Sequence, residues 1–464
     1  MIHVFNHYVP GRLVALAVLE SLVLLLAAYV GISLHATGSG AAIAGAGTAV
    51  PSQALVFAVG MMTVISSMGL YQPDLWGNNQ AVRSRFVAAF LLGFAVLGLV
   101  SFLAPSLNPG PAALGGAFAV ALAGSVLVRA AFLKWDASGV FKSRVLVLGT
   151  GSRVMKIAES AECNPSHLIV GYVALQPGKH YIPPLDVLSV APGESVMSLV
   201  KKYAVDQIVV AVRDRRGGGF PVQQLLECKM KGIKIVELST FFEREYRQVL
   251  LESLNPSWMV LGDGFRQGWF GNALKRAFDL TVSGILLLLA LPVMLVTAVC
   301  ICLESGFPIL YRQERVGQGG RTFTLYKFRS MRNEAESDGT PRWARANDDR
   351  TTRVGRFIRK WRIDELPQIF NVLNGEMSLV GPRPERPFFV DQLMKQIPFY
   401  ALRHSARPGI TGWAQVRYRY GASVDDAVEK LQYDLYYVKN RCLFLDLAIL
   451  FATVEVVLWG KGSR

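Results

Sequence analysis

Arg362-Ile-Asp-Glu-Leu-Pro-Gln-Ile-Phe-Asn-Val-Leu-Asn-Gly-Glu-Met-Ser-Leu-Val-Gly-Pro-Arg-Pro-Glu385 sets a carboxylate pair, Asp364 and Glu365, inside the most basic part of the chain. Pro367 lacks an N–H and suits the first turn of a helix, and Leu366, Ile369, Phe370 and Leu373, ending at Gly375, have helical spacing. Asp364 is therefore expected at or just before a helix N-terminus, where the positive end of the dipole holds a carboxylate ionised and draws phosphate oxygens. An ionised aspartate there can attack phosphorus. The plainer reading is a capping Asp364 beside an ordinary first-turn acid. The surroundings argue against it. From Tyr311 to Ile363 there are 14 Lys or Arg against 6 Asp or Glu, an excess of 8 and more than half of the chain's formal +15. Such a field attracts polyanions: nucleotides, nucleic acid or anionic lipid head groups.

Composition chooses among these. At 464 residues and 52% hydrophobic, the chain is too apolar for a soluble protein and long enough for about three domains. A membrane protein is expected, with no nucleic-acid partner. Four apolar stretches of near-bilayer length occupy the first third, about Leu13 to Leu34, Gln53 to Leu70, Phe86 to Ala104 and Ala112 to Phe132. Three spans follow the first one, so it does not read as a signal peptide. The segments from His35 to Ser52 and Pro105 to Pro111 lack Lys and Arg, whereas Arg83, Arg85, Arg129, Lys134, Lys142 and Arg144 flank the other ends. That asymmetry predicts cytoplasmic termini for a four-helix unit over residues 1–142. Glu20, within the first span, reads equally as a functional carboxylate or as an interhelical hydrogen-bonding residue.

The five cysteines, Cys163, Cys228, Cys300, Cys302 and Cys442, have no metal spacing, which suits reduced thiols. Short strands at Val145 to Leu148, Ile169 to Ala174, Gln207 to Val212 and Ile233 to Glu237 alternate with helical segments, predicting a parallel, Rossmann-like α/β domain over residues 143–245. Gly149-Thr-Gly-Ser-Arg-Val154 departs from the dinucleotide fingerprint, because Val154 takes the third glycine's place and Gln176 stands where an acid would bind ribose. A scaffold or regulatory domain without the cofactor is favoured; a nucleotide-sugar ligand stays open.

Residues 246–271, with Asn255-Pro256, Gly262, Gly264 and Gly268, read as a linker to a domain over residues 272–464. A fifth apolar stretch, about Leu280 to Leu303, carries Pro292 at its middle and is flanked by Lys275 and Arg276 before and Arg312 and Arg315 after. Positive charge on both sides and a proline that frees the Leu288 carbonyl predict a re-entrant hairpin, residues 278–303, returning to the cytoplasmic face. A plain fifth span competes. The run Leu443 to Trp459, interrupted by Asp446 and Glu455, is expected as an interfacial or domain-packing helix.

From about Leu274 to Arg464 the sequence resembles the bacterial sugar transferases, the polyprenyl-phosphate hexose-1-phosphate transferases or monotopic phosphoglycosyl transferases. Lys275-Arg276 with Asp279, Arg312-Gln-Glu-Arg-Val-Gly317, Tyr326-Lys-Phe-Arg-Ser-Met331, Asp364-Glu-Leu-Pro-Gln368, Gly381-Pro-Arg-Pro-Glu385 and Arg407-Pro-Gly-Ile-Thr-Gly-Trp413 follow in that family's order. The four spans and the α/β domain resemble its long form. Tyr418 to Ala422 with Leu431-Gln-Tyr-Asp-Leu-Tyr-Tyr437 is most similar to its exosortase-associated exopolysaccharide branch. One departure is Leu291-Pro292, where many relatives have Ser-Pro; the serine that could satisfy freed backbone groups is missing.

The resemblance implies an α-rich monotopic catalytic domain that transfers a sugar 1-phosphate from a UDP-sugar to undecaprenyl phosphate, releasing UMP through an aspartyl phosphosugar. It implies Asp364 as nucleophile, Glu365 as its assistant, and Mg2+ held by both carboxylates with phosphate oxygens. Lys327, Arg359, Arg383 and Arg407 match basic positions used near phosphates. Membrane lipid, a homodimer and downstream glycosyltransferases are the implied partners, in the bacterial inner membrane. Each side chain has a plainer role: a solvated Arg359, an interfacial His404, and an Asp279 paired with Arg276 or a neighbour. Two other classes stay in view: an NAD-dependent nucleotide-sugar epimerase or oxidoreductase working at Gly149 to Val154, and a noncatalytic assembly or sensor protein. The hexose is open.

Overall fold

The computed structural model describes the chain apart from residues 1, 5–6, 39–45, 73–78, 106–107, 138–141, 162–166, 176–180, 184–186, 189–194, 213–219, 255–264, 266–267, 332–349, 419–420, 422 and 460–464. Gln176, Cys163, Asn255-Pro256, Gly262, Gly264 and part of the Tyr418 to Ala422 segment therefore lie outside the described residues. The chain forms two compact units, one holding Val9–Glu245 and one holding His3–Tyr8 with Tyr246–Arg464.

A short β-ribbon, β1 (Ile2–Val4) and β2 (His7–Val9), comes first. In the first unit, α1 (Gly11–Gly38), α2 (Ala46–Ser67), α3 (Asn79–Leu103) and α4 (Pro111–Ala137) match the four apolar stretches. Each is long and apolar enough to cross a membrane. They share a core of Leu24, Ala28, Met61, Ile65, Ala89, Ala117 and Ala121, in which small residues let backbones approach. A Cβ on Gly31 would lie 2.5 Å from the backbone nitrogen of Ala117, so α1 and α4 meet without a side chain there. Glu20 is fully buried: Arg129 donates to it from Nε (2.5 Å) and Nη2 (2.8 Å), and the Tyr71 hydroxyl donates at 2.5 Å. Interhelical pairing is thus the role Glu20 plays here. Two of the cations counted as flanking charges turn inward as well. Arg129 serves Glu20, and Arg85 is buried with Nη1 donating to the Met68 carbonyl. Neither is available as a free interfacial charge.

Five parallel strands follow: β3 (Ser143–Leu148), β4 (His167–Val173), β5 (Val187–Leu188), β6 (Gln207–Val210) and β7 (Lys234–Glu237), in the order β5-β4-β3-β6-β7. Reading from β3, this is the order 3-2-1-4-5 of doubly wound dinucleotide folds. The central strands are continuous apolar runs, as burial on both faces requires. Helices α5 (Met155–Ala161), α6 (Val196–Tyr203), α7 (Val222–Met230) and α8 (Leu238–Glu245) complete the domain. Gly149 turns the chain after β3 at φ +125, and Val154 is fully buried in the core side of the next turn. β5 has no counterpart among the expected strands, because two residues give no readable alternation.

The second unit has Val249 in its core with Leu251 and Leu254 packed against it, and its first helix, α9 (Trp269–Ser305), starts inside the stretch expected to be linker. α9 is 37 residues long with Pro292 inside it. A hairpin, β8 (Leu310–Val316) and β9 (Thr322–Phe328), leads to α10 (Arg353–Lys360) and α11 (Gln368–Asn374). β10 (Ser378–Val380) pairs in parallel with β11 (Gly409–Thr411) around α12 (Pro387–Gln396). The chain closes with α13 (Trp413–Arg417), α14 (Val424–Asn440), capped reciprocally by Ser423 and Asp426, and α15 (Leu443–Trp459). α15 packs into the core through Leu445 and Ile449, beside Leu431, Leu435 and Tyr436 of α14. That is the domain-packing role expected of it.

β10 and β11 cross so closely that a Cβ on Gly409 would strike the Gly381 backbone and the Thr411 carbonyl. Backbone cannot yield as a side chain can. Gly409→Ala should therefore cost about 2 kcal/mol or more in thermal unfolding. Gly284→Ala, where the added Cβ meets nothing within 4 Å, should leave the melting temperature unchanged or higher.

Candidate active site

Asp364 and Glu365 lie in a 3-10 turn, Ile363–Glu365, between α10 and α11. The helix proper begins only at Gln368, and its apolar face is Ile369 and Val372, while Phe370 is 42% exposed. Arg362 enters the turn in the left-handed region at φ 57, which folds the chain back and leaves both carboxyls 8% exposed. Glu365 Oε1 accepts from Lys327 Nζ and Arg383 Nη2, each at 2.8 Å, with Arg362 Nη1 at 3.6 Å. Lys327 arrives on β9 opposite Tyr311 of β8. Asn371, fully buried on α11, fastens that strand to the turn: its Nδ2 donates to the Thr324 carbonyl at 2.7 Å and its Oδ1 accepts from Tyr326 N at 3.2 Å. A buried asparagine within an apolar helical run was a signal present in the sequence that the pattern reading passed over.

The two acids are driven apart electrically. Burial pushes Glu365 up, but Arg383, Lys327 and Arg362 overcome it and hold its carboxyl well below the usual range. Burial, and after it the charge of Glu365, raises Asp364 above its ordinary value against Lys327, Arg362 and Arg359. Asp364 does lie just before a helix, as expected, but desolvation and the charge of Glu365 push its pKa up, against the direction expected from the helix dipole. Asp364 Oδ1 is buried with no hydrogen-bond partner among the described residues. Glu365 is already committed to cations. Among the described residues no three His, Cys, Asp or Glu form a metal cage. Of the two carboxylates expected to hold Mg2+, Asp364 keeps an unpartnered oxygen that suits a hard cation, whereas Glu365 Oε1 is occupied by Lys327 and Arg383.

Of the other residues singled out, Arg383 joins the pair directly and Arg359 lies near enough to act on Asp364. Arg407 instead faces Arg441, and its carbonyl meets the Gly381 backbone. Lys275, Arg276 and Asp279 anchor α9. Arg276 donates to the Val372 and Leu373 carbonyls (2.6 and 2.8 Å), closing the C-terminal end of α11 where Gly375 takes φ +87. Lys275 bridges Asp279 and Asp446, both at 3.0 Å, so Asp279 is partnered by Lys275 and not by Arg276. Asp446 also accepts from the Tyr437 hydroxyl at 2.8 Å. His404 is pushed down to about 4 by burial and the charge of Arg403, which suits a neutral structural imidazole.

Opposite stability effects follow at neutral pH. A raised folded pKa means that ionising Asp364 opposes folding, so Asp364→Asn should raise the melting temperature. A depressed one means that ionised Glu365 supports folding above its unfolded pKa and loses that support as pH falls. Glu365→Gln, which strands two cations, should cost about 3 kcal/mol. Thermal unfolding of both variants beside the wild type measures the two signs.

Residues 270–460 match the bacterial sugar transferase family. The chain is 44% identical over 259 residues to the UDP-N-acetylgalactosamine-undecaprenyl-phosphate N-acetylgalactosaminephosphotransferase of Aeromonas hydrophila, covering 56% of this chain and 60% of that protein. It is 45% identical over 195 residues to the uncharacterized sugar transferase EpsL of Bacillus subtilis (strain 168), covering 41% of this chain and 90% of that one. It is 32% identical over 357 residues to the UDP-glucose:undecaprenyl-phosphate glucose-1-phosphate transferase of Xanthomonas campestris pv. campestris, covering 74% and 72%. The match thus spans less than two thirds of the Aeromonas relative but most of the other two. With Lys327 and Arg383 brought onto one carboxylate pair and its sequence matched across the second unit, this chain belongs to the bacterial sugar transferase family.

Proposed function

We propose that this protein transfers a sugar 1-phosphate from a UDP-sugar to undecaprenyl phosphate and releases UMP. The observation that carries the reading is a buried Asp364 with an unpartnered oxygen, next to a Glu365 wrapped in cations. The names of the relatives supply the substrate class. An Asp364 oxygen attacks the β-phosphorus of the UDP-sugar; the bond from that phosphorus to the bridging oxygen breaks, and UMP leaves with the oxygen. The lipid phosphate oxygen then attacks the same phosphorus and the carboxylate of Asp364 departs. Neither step consumes a proton. Lys327, Arg383, Arg362 and Arg359 surround the charge that builds on the phosphoryl oxygens, and a buried site makes each worth more than it would be in water. When bound, Mg2+ would neutralise the diphosphate and the leaving UMP. The diphosphate-linked lipid is the substrate of glycosyltransferases that extend an exopolysaccharide repeat.

The α9 helix is read as re-entrant, beneath a catalytic domain on the cytoplasmic face of the inner membrane, with α1–α4 as a separate four-helix transmembrane unit. Straight, its 37 residues would reach about 55 Å, well beyond the roughly 30 Å hydrocarbon core. Its two ends nonetheless fasten to the same domain. Arg276 and Lys275 hold the first end; at the other, Arg329 Nη2 donates to the Ser305 and Gly306 carbonyls (2.7 and 2.6 Å), and Glu304 accepts from the Arg353 and Val354 amides. Between them, Met294 and Ile301 pack on Phe328 and Ile358. A helix crossing to the far side would lose one set of contacts. The opposite face, with Leu288, Leu289, Leu295 and Val296 exposed, is left for lipid.

Two experiments check this. Wild type incubated with UDP-sugar labelled at the β-phosphate should retain covalent label, and Asp364→Asn should retain none while losing several orders of magnitude in turnover. Full activity in that variant ends the nucleophile assignment. Single cysteines at Gly268 and Gln318 in a Cys-free background should both resist an impermeant thiol reagent on intact spheroplasts. Labelling confined to position 318 would instead require a spanning helix.

A further inference from the structure

We infer that Arg403, held by Asp434, is the positioning residue that aims Arg383 at Glu365; the catalytic part of this inference rests on the activity proposed above. Every residue from Gly381 to Glu385 is tied through its backbone. Gly381 N donates to the Thr411 carbonyl (2.9 Å), the Pro382 carbonyl accepts from Gly409 N (3.0 Å), and the Glu385 carbonyl accepts from Val316 N (2.9 Å). The two central carbonyls are gripped by side chains: Arg383 by Arg403 Nη2 and Pro384 by Arg315 Nη1, both at 3.0 Å. Backbone partners fix the ends of the loop. Its centre, which carries the Arg383 guanidinium, depends on two arginines.

Arg403 is the more deeply placed of the two. Its side chain is 7% exposed and that of Asp434 is 2% exposed, with 2.7 Å between Nη2 and Oδ2. Nη1 donates to the Tyr400 hydroxyl at 2.6 Å, and the guanidinium lies 5.1 Å from that ring's centroid. Three partners on three segments, Asp434 on α14, Tyr400 in the turn that carries Arg403 and the Arg383 carbonyl in the loop, leave the guanidinium one orientation. Asp434 sits on α14 within Leu431-Gln-Tyr-Asp434, so the core helix reaches the site through a relay: Asp434 to Arg403, Arg403 to the Arg383 carbonyl, and Arg383 to Glu365 at 2.8 Å. Simple core filling does not call for a buried ion pair with one donor turned to a loop carbonyl beside the carboxylates. Aiming Arg383 does.

Two double-mutant cycles on the full chain in nanodiscs test the relay. In sugar-phosphate transfer, Arg403→Gln should lower kcat/KM by about 100-fold in the wild-type background, but by less than about threefold where Arg383 is already Gln. Equal losses in both backgrounds would assign Arg403 a general structural role and overturn the inference. Should Arg403→Gln fail to fold, Arg403→Gln with Asp434→Asn removes both buried charges together and takes its place in the cycle, with the same two outcomes. The second cycle pairs Arg403→Gln, or that neutral double variant, with Glu365→Gln in thermal unfolding. Coupling predicts a combined shift smaller than the sum of the single shifts, and additivity overturns it. Unfolding requires no substrate, so a wild type unable to transfer sugar phosphate would defeat the proposed activity while this cycle still decides the relay.

Discussion

One carboxylate oxygen, Glu365 Oε1, holds the site together. Lys327 comes to it from a hairpin strand, Arg383 from the loop after β10, and Arg362 from the left-handed residue before the turn. Removing any one contributor leaves the others as poorly compensated charges in a place where water screens little. The arrangement also explains why neighbouring acids behave differently. Glu365 collects the cations and stays ionised; Asp364 is left with burial and a negative neighbour.

Around that oxygen, arginines act as much on backbone as on charge. Arg276 closes the end of α11, Arg315 and Arg403 hold successive loop carbonyls, and Arg329 closes the end of α9. The planar guanidinium, with several donors in fixed directions, can grip neighbouring carbonyls in a set geometry. Much of the basic excess near the site is therefore structural. Counting it as field for a polyanion, as composition invites, overstates how much is free for ligand.

Hydropathy made the four N-terminal apolar helices and α9 legible, because apolar runs of bilayer length have few other uses. The strands β3, β4, β6 and β7 were legible as short apolar runs between helical segments. The carboxylate pair and Arg383 stood out because acid in a basic field and glycine-proline loops are locally unusual. What escaped was whatever depends on distant partners. Burial of Asp364 is a property of the folded turn, so its raised pKa could not be read from Pro367 and helical spacing. Arg129 looked like a flanking charge until Glu20, 109 positions earlier, appeared beside it. Arg403 and Asp434 are 31 positions apart and carry no spacing signal at all.

That Glu20–Arg129 pair has a consequence for biogenesis. With α1–α4 taken as the transmembrane unit proposed above and the chain made from its N-terminus, α1 is complete before α4 leaves the ribosome, and Glu20 then meets the lipid phase without its guanidinium. A lone acid at the centre of a span costs about 3 kcal/mol on insertion scales. Its escape is to wait at the translocon's polar seam until the fourth helix arrives. The last helix of the set thereby becomes the one that releases the first.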